Sequence, residues 1–185
     1  PAMTKPLSAA IALIALFLLP ALHAPPAVAQ PAPGSYALVT ERASARLLVK
    51  SPVGQLRAQM TFRDGALVFG PNGSLRDVRA VLRADSVRAR RAALDSMLQG
   101  PSGLDVDRHP LIRFEGTGGG LDGDTLVIEG ALTIKGVTRQ VRFRGPLRVR
   151  GPRRIAMTLE TEIDRTAFGV TAGRPLYSRF ATVRL

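Results

Sequence analysis

Apolar and polar residues alternate with a period of two along most of this chain. Between residues 141 and 149 the odd positions are mostly apolar, and the even positions are mostly arginine. The alternation resumes between residues 155 and 163, after Gly151-Pro152. One apolar and one polar face are typical of β-strands that cover a core. The two segments therefore predict an antiparallel hairpin with its turn near residues 151–153.

The register of this hairpin follows from matching its two faces. Phe143 is expected on the buried face and Arg142 on the outer face. In this register, apolar residues lie opposite apolar residues, and arginines lie opposite glutamates. The predicted pairs are Arg144 with Glu160, Arg142 with Glu162, and Leu147 with Met157.

Further strands are predicted wherever the alternation recurs between residues that favour turns. Four turns are expected, at Asp64-Gly65, at residues 71–73, at residues 118–120 and at Asp122-Gly123. About eight to ten strands at this spacing predict an all-β fold, either an antiparallel barrel or a sandwich. The other strand candidates are residues 43–50, 56–62, 66–70, 78–82, 111–117, 125–135 and 179–185.

One segment departs from the period of two. Leu94 and Leu98 recur at helical spacing. Asp85 or Ser86 could cap a helix there, and Gly100-Pro101 would end it. The sequence therefore predicts one short helix among the strands.

The first 29 residues have the pattern of a secretory signal peptide. Lys5 precedes an apolar stretch at residues 7–22, and Ala27-Val28-Ala29 has the A-x-A form of a cleavage site. Cleavage is expected after Ala29, which leaves one domain, residues 30–185, in the periplasm or outside the cell. A retained N-terminal anchor is the alternative, because the Ala-Pro run at residues 24–33 could serve as a tether.

The amino-acid composition excludes several kinds of functional site and partner. The 185 residues include 26 Lys+Arg against 14 Asp+Glu, a formal net charge of +12, and no cysteine. Without cysteine there are no disulfides, thiolate nucleophiles or cysteine-bound metals. In an exported protein the positive charge favours an anionic membrane surface over nucleic acid. Single-stranded nucleic acid also needs exposed aromatic rings, whereas Phe62, Phe114 and Phe143 share the parity of buried aliphatic residues.

The sequence holds no clear catalytic or metal-binding motif. His109 is the one histidine of residues 30–185, in a predicted surface loop between Arg108 and Pro110. A zinc site needs several such ligands, and a Ser-His-Asp arrangement needs a histidine base. The carboxylates at residues 160 and 162 are expected to pair with arginines. The sequence thus predicts a protein that is not an enzyme and has no catalytic residues, metal or cofactor.

Three segments resemble those of a known family, in the same order. Residues 130–138 (GALTIKGVT) resemble the G-x-L-T-I-x-G-V-T strand and turn of the YceI-like family of exported lipid-binding proteins. Residues 105–114 (DVDRHPLIRF) resemble its D-V-x-x-x-P-x-I-x-F segment, and residues 165–170 (RTAFGV) resemble its R-x-x-F-G-I segment. The resemblance covers residues 36–185. The family's early D-x-x-H-S segment is absent, since residues 39–44 read VTERAS.

The resemblance implies an extended, lipocalin-like antiparallel β-barrel whose apolar interior holds a long isoprenoid chain, such as a polyprenyl lipid or a quinone tail. A barrel of about eight strands has room for its own side chains or for one slender ligand, and the alternation alone does not decide between them. The candidate ligand-binding residues are Leu47, Val49, Phe62, Leu82, Ile112, Phe114, Leu132, Ile134, Phe143, Met157, Leu159, Phe168 and Tyr177.

Two functions of different classes are compatible with these observations. The first is an exported carrier, store or stress-related sequestering protein for an isoprenoid or a similar apolar lipid. The second is a ligand-free periplasmic interaction protein, whose outer arginines at residues 142, 144, 148 and 150 would contact an anionic membrane or an acidic partner. In either case an edge strand near Tyr36 or Leu185 could pair across a homodimer.

Overall fold

Eleven β-strands and one short α-helix form residues 29–185, the part of the chain that the computed structural model describes. The predicted signal peptide lies outside the described residues, apart from Ala29. The elements are β1 (Gly34–Ala37), β2 (Ser44–Ser51), β3 (Gly54–Phe69), β4 (Leu75–Arg83), β5 (Arg88–Ala89), α1 (Ala92–Gln99), β6 (Leu111–Asp122), β7 (Thr125–Ile134), β8 (Val137–Gly151), β9 (Arg154–Met157), β10 (Glu160–Asp164) and β11 (Phe180–Arg184).

Eight of these strands close into a ring. Its order is β3, β2, β11, β10, β8, β7, β6 and β4, and β4 pairs again with β3. Every pair in the ring is antiparallel. Closure removes the unpaired edges that an open sheet would expose. The predicted all-β antiparallel barrel of about eight strands with one short helix is confirmed.

Two long strands extend the wall beyond the ring. β3 has 16 residues and β8 has 15. The first half of β3 pairs with β2, and its last four residues pair with β1. The end of β8 pairs in the same way with β9. Because β3 and β8 run in the same direction around the antiparallel ring, β1 and β9 both extend the same end of the barrel.

Alternate residues of the ring strands point inward, as the period of two predicts. Phe62, Phe114 and Phe143 are at most 8% exposed. The rings of Phe114 and Phe143 meet edge to face with their centroids 5.4 Å apart, a favourable arrangement for aromatic pairs. The side chain of Arg142, in contrast, is 66% exposed. The predicted assignment of the two faces of β8 is therefore correct.

The predicted hairpin register is correct in two of its three pairs. Leu147 lies opposite Met157, and Arg144 lies opposite Glu160. The pair of Arg142 with Glu162 does not form, because the β8–β10 ladder holds a single pair and β10 then pairs with β11 along its whole length. Arg142 instead contacts Glu129 on β7, with 3.5 Å between Nε and Oε1.

Two predicted turns are wrong, because the glycines permit irregular strands rather than chain reversals. Asp64-Gly65 lies within β3, just after a register shift that follows Phe62. Residues 118–120 lie within β6, where the register shifts after Gly116. Gly119 has φ +131°, and a Cβ there would lie 2.1 Å from the carbonyl oxygen of Val127. These glycines therefore allow β-bulges and a close approach of two backbones.

The helix is shorter than predicted. It ends before Gly100, as expected, but it begins at Ala92 rather than near Ser86. The Ser86 hydroxyl donates to the carbonyl oxygen of Arg83 and accepts from the backbone N–H of Thr61, so it joins a turn to β3 instead of capping a helix. Within residues 29–185 no helix is long and apolar enough to cross a bilayer.

Gly145 provides a test of the close contact between β8 and the segment that joins β9 to β10. A Cβ at Gly145 would lie 2.0 Å from the carbonyl oxygen of Thr158. We expect Gly145→Ala to force these backbones apart and to lower the free energy of unfolding in urea by about 1–3 kcal/mol. Gly118→Ala is the matched control, because a Cβ there would meet no atom within 4 Å. Equal losses in the two variants would contradict this interpretation.

Candidate ligand-binding cavity

The ring of strands is hollow. It encloses a cavity of about 1140 Å³ that opens to solvent. Pockets for drug-sized ligands occupy about 300–1000 Å³, so this cavity has room for a larger molecule. Its interior wall is mainly aliphatic and aromatic. The inward-facing side chains therefore do not fill the barrel.

The structure places twelve of the thirteen candidate ligand-binding side chains on the cavity wall. Contact of each with a ligand stays a prediction. The thirteenth, Phe168, is 2% exposed in the 3-10 turn Arg165–Phe168 and packs in the core without lining the cavity. The twelve are Leu47, Val49, Phe62, Leu82, Ile112, Phe114, Leu132, Ile134, Phe143, Met157, Leu159 and Tyr177.

The end of the cavity opposite β1 and β9 is closed, and we call it the floor. Its side chains come from α1, from the loop after it and from the loop between β10 and β11. Lys135, in the turn between β7 and β8, donates to the carbonyl oxygens of Pro101 at 2.7 Å and of Gly169 at 3.0 Å. These bonds join both loops to the barrel. The floor residues are Met97, Leu98, Leu104, Val170, Ala172 and Tyr177.

A buried arginine holds the loop that forms part of the floor. Arg165 is 6% exposed and borders the cavity, and within residues 29–185 no carboxylate oxygen lies within 4 Å of its guanidinium. It donates instead to four carbonyl oxygens at 2.7–3.0 Å, those of Val170, Ala172, Tyr177 and Ser178. Burial lowers the pKa of Arg165, the Arg174 charge lowers it further, and Asp164 opposes both. Arginine keeps its charge in proteins, so the guanidinium remains a cation that the carbonyl dipoles stabilise.

Asp164 ends β10 and fixes the turn that follows it. Its carboxylate accepts from the hydroxyl of Thr166 at 2.6 Å and from the backbone N–H of Thr166 at 3.0 Å. It also forms a salt bridge with Arg179 at 2.5 Å. The Thr166 hydrogen bond, followed by the bond to Arg179, lowers the pKa of Asp164 to about 2. The carboxylate therefore stabilises the start of the segment that carries Arg165.

The open end of the cavity lies between the segment after β1 and the β8–β9 hairpin, and we call it the mouth. Leu38, Val39 and Arg42 line it on one side, and Arg150 and Ile155 line it on the other. Val39 is 55% exposed although it is apolar. Sequence analysis missed this side of the site, because β1 is only four residues long and has no clear alternation.

His109 lies away from the cavity wall. It is half-buried in the predicted loop, where its backbone N–H donates to the carbonyl oxygen of Asp105 at 2.8 Å. Within residues 29–185 no group of three or more His, Asp or Glu side chains is placed to hold a metal ion. The cavity itself has an apolar interior and an arginine-bearing rim, which suit the binding of an amphiphile.

Comparison with known proteins identifies the family. A family model described as a YceI-like domain matches residues 36–184. This chain belongs to the YceI-like family. Two curated relatives match part of the domain: a UPF0312 protein of Pseudomonas aeruginosa is 33% identical over 85 residues, and one of Yersinia pestis is 34% identical over 89 residues. The matches cover 45% and 48% of this chain, and 44% and 46% of the relatives, so less than half of each relative is aligned.

Solved structures share the fold of this YceI-like domain at low sequence identity. BcnA of Burkholderia cenocepacia has a TM-score of 0.65 at 16% identity, over 76% of this chain and 92% of that one. A polyisoprenoid-binding domain of Saccharophagus degradans, implicated in plant cell wall breakdown, has a TM-score of 0.57 at 12% identity, over 83% and 95%. The YceI protein of Campylobacter jejuni has a TM-score of 0.57 at 17% identity, over 67% and 79%.

The role of Arg165 in this YceI-like domain can be tested by stability measurements. Arg165→Met would leave its carbonyl partners without donors, each at a cost of about 1–3 kcal/mol. We therefore expect a loss of at least about 3 kcal/mol in urea unfolding. Arg165→Lys should lose less, because the ammonium replaces only part of the planar fork. Arg139→Met, at an exposed arginine whose one side-chain hydrogen bond within residues 29–185 goes to the carbonyl of Thr138, should change little; a loss of similar size there would refute the assignment.

The lowered pKa of Asp164 predicts an acid-sensitive contribution to stability. Because the folded-state pKa of about 2 lies below the ordinary 3.8, the carboxylate stabilises the fold above about pH 4. This contribution is lost as the pH falls from about 4 towards 2. Melting temperatures measured across that range should fall less steeply for Asp164→Asn than for the wild type. Asp77→Asn, at an exposed carboxylate on β4, should keep the wild-type slope.

Proposed function

We propose that this protein binds one long apolar lipid of isoprenoid type inside its barrel, and that it carries, stores or sequesters that lipid. The observation that carries the proposal is the open cavity of about 1140 Å³ within a closed ring of strands. The description of the Saccharophagus degradans domain as polyisoprenoid-binding supports the same class of ligand. The shape also favours a slender chain, because the wall is continuous from the mouth to the floor.

The energetics favour a chain of considerable length. Burial contributes roughly 0.8 kcal/mol per CH₂, so ten carbons supply about 8 kcal/mol. Association costs roughly 4–15 kcal/mol, which such a short chain offsets only in part. Chains of about thirty to forty carbons exceed that cost with a clear margin. The proposed ligand is therefore a polyprenyl lipid or a molecule with a polyprenyl tail.

The proposal includes export of the protein. It is supported by the cationic start, the apolar stretch and the A-x-A site within residues 1–29. A periplasmic or secreted location would place the barrel next to membrane lipids and would give its ligand a route through water. Catalysis is not part of the proposal, because the described residues place no nucleophile with a base at the cavity.

The alternative, a ligand-free protein that docks through its outer arginines, receives less support from the structure. Arg142 forms a salt bridge with Glu129, and Arg148 forms one with Asp124. Arg150, which the same interpretation assigned to the outer face, lines the mouth of the cavity. The predicted Arg-rich face is thus partly neutralised, and an interaction protein has no need for a hollow barrel.

Lipid retention is the direct test of the proposed function. Native mass spectrometry of the protein purified from its own cells, followed by organic extraction, should recover a lipid with about thirty or more carbons. Val183→Trp should reduce the bound fraction by at least about tenfold, because a large ring at this wall position blocks the chain.

Thr182→Trp is the matched control, since Thr182 precedes Val183 on β11 and is not part of the cavity wall. It should retain the lipid at the wild-type level. Circular dichroism of both variants should show an intact β-fold. If the wild-type protein carries no lipid, and also takes up none when incubated with polyprenyl lipids, the proposed function is wrong.

A further inference from the structure

We infer that the lipid carries an anionic head group, and that the arginines at the mouth of the cavity bind it. This inference rests on the proposed lipid-binding function and names the chemical class of the ligand. The group recognised would be a phosphate, a diphosphate or a carboxylate at one end of a long apolar chain. A neutral alcohol or a quinone head group could accept hydrogen bonds from these arginines but would lack the attraction between opposite charges.

The first observation is the charge on the cavity wall. Seven arginines line the cavity, and the wall contains no aspartate, glutamate or lysine. All 14 acidic residues of the chain lie in the described part, so each was available to neutralise the wall. The seven are Arg42, Arg46, Arg79, Arg150, Arg154, Arg165 and Arg184.

Four of the seven leave no free charge inside the mouth. Arg165 lies at the floor and is bonded to four carbonyl oxygens. Arg184 forms a salt bridge with Glu160, with 2.6 Å between Nη2 and Oε2. Arg46 and Arg79 alternate along their strands with inward-facing residues, so their side chains point to the outer face. Arg42, Arg150 and Arg154 have no carboxylate oxygen within 4 Å in residues 29–185.

The last three lie at one end of the barrel. Arg42 ends the 3-10 turn that follows β1. Arg150 and Arg154 flank the turn of the β8–β9 hairpin. Because β1 and β9 extend the same end of the ring, all three lie at that end. We call Arg42, Arg150 and Arg154 the mouth arginines.

The neighbourhood of the mouth arginines is unfavourable for uncompensated charge. Arg150 and Arg154 bear like charges on the two sides of one hairpin turn. Glu41, next to Arg42, is bonded to the hydroxyl of Thr40 instead. Apolar wall residues below the mouth lower the local dielectric and strengthen the positive potential there. An anion at this place would relieve the repulsion.

Arginine also has the geometry for such a head group. Its planar guanidinium offers two parallel N–H donors that match the oxygens of phosphate or carboxylate. A chain inserted into the cavity would place its polar end at the opening, where the mouth arginines come from both sides. Hydrophobic burial would then supply most of the affinity, and the arginines would supply the selection among head groups.

The test compares two lipids that differ only in the head group, geranylgeraniol and geranylgeranyl phosphate. Dissociation constants would be measured by isothermal titration on delipidated full-length protein. We expect the wild type to bind the phosphate at least about tenfold more tightly than the alcohol. In the triple variant R42Q/R150Q/R154Q this ratio should fall to within about twofold of unity, mainly through weaker binding of the phosphate. The ratio in the wild type should also fall as salt is added.

The matched control is R63Q/R113Q/R139Q, which removes the same number of positive charges at other positions. These arginines are exposed, lie outside the cavity wall and have no carboxylate within 4 Å in the described residues. The control should keep the preference for phosphate. An equal loss of preference in both variants would show that net charge alone is responsible, and it would overturn the inference.

Three further outcomes separate the possible failures. Equal affinity of the wild type for both lipids would overturn the inference but leave lipid binding intact. Binding of neither lipid, nor of longer polyprenyl chains, would overturn the proposed function itself. Finally, sedimentation with phosphatidylglycerol vesicles tests whether the mouth arginines bind the anionic head groups of a membrane instead of a lipid held in the cavity. If the mouth substitutions abolish vesicle binding and leave the phosphate-to-alcohol ratio unchanged, the arginines bind membrane head groups and the inference is wrong.

Discussion

Closure of the eight-stranded ring is the constraint on which the rest of the molecule depends. Each ring strand has a neighbour on both sides, so the ladder hydrogen bonds are formed without any help from a filled interior. An open two-layer fold would have to pack its inner faces against each other. A closed ring instead keeps its shape with an apolar cavity inside, and this cavity is what makes the protein suited to binding a lipid.

The floor shows how the barrel is closed at one end without a large core. The loop between β10 and β11 buries Phe168, Val170 and Ala172, and Arg165 and Asp164 fix its course. A buried guanidinium bonded to four carbonyls is costly to desolvate, but its removal is costlier still, because it leaves several polar groups unpaired. The floor is thus held by polar bonds together with apolar packing, whereas the wall is held by strand pairing.

The alternation of residues predicted an antiparallel barrel or sandwich and most of its inner wall, and the family resemblance singled out the barrel. Strands such as β7 and β8 are long and regular, and each inward residue is followed by an outward one. The prediction of turns was wrong at two places where glycines lie within a strand. Asp64-Gly65 and residues 118–120 have the composition of turns, yet both lie inside strands, because pairing with neighbouring strands outweighs local preference. The predicted start of α1 was wrong for a similar reason, because the Ser86 hydroxyl forms hydrogen bonds with β3 and with the preceding turn instead of capping the helix.

The mouth could not be predicted by the same reasoning, because parity assigns a residue to a face only while a strand stays regular. The register shifts between Val149 and Gly151, and Arg150 borders the cavity whereas Arg148 does not. Arg42 lies outside any strand. Their convergence is a product of the long-range ring order, which joins segments more than 100 residues apart along the chain. The cavity is apolar inside and carries guanidinium groups at its mouth. A ligand with one apolar end and one anionic end can therefore enter it in only one orientation, with the apolar end first.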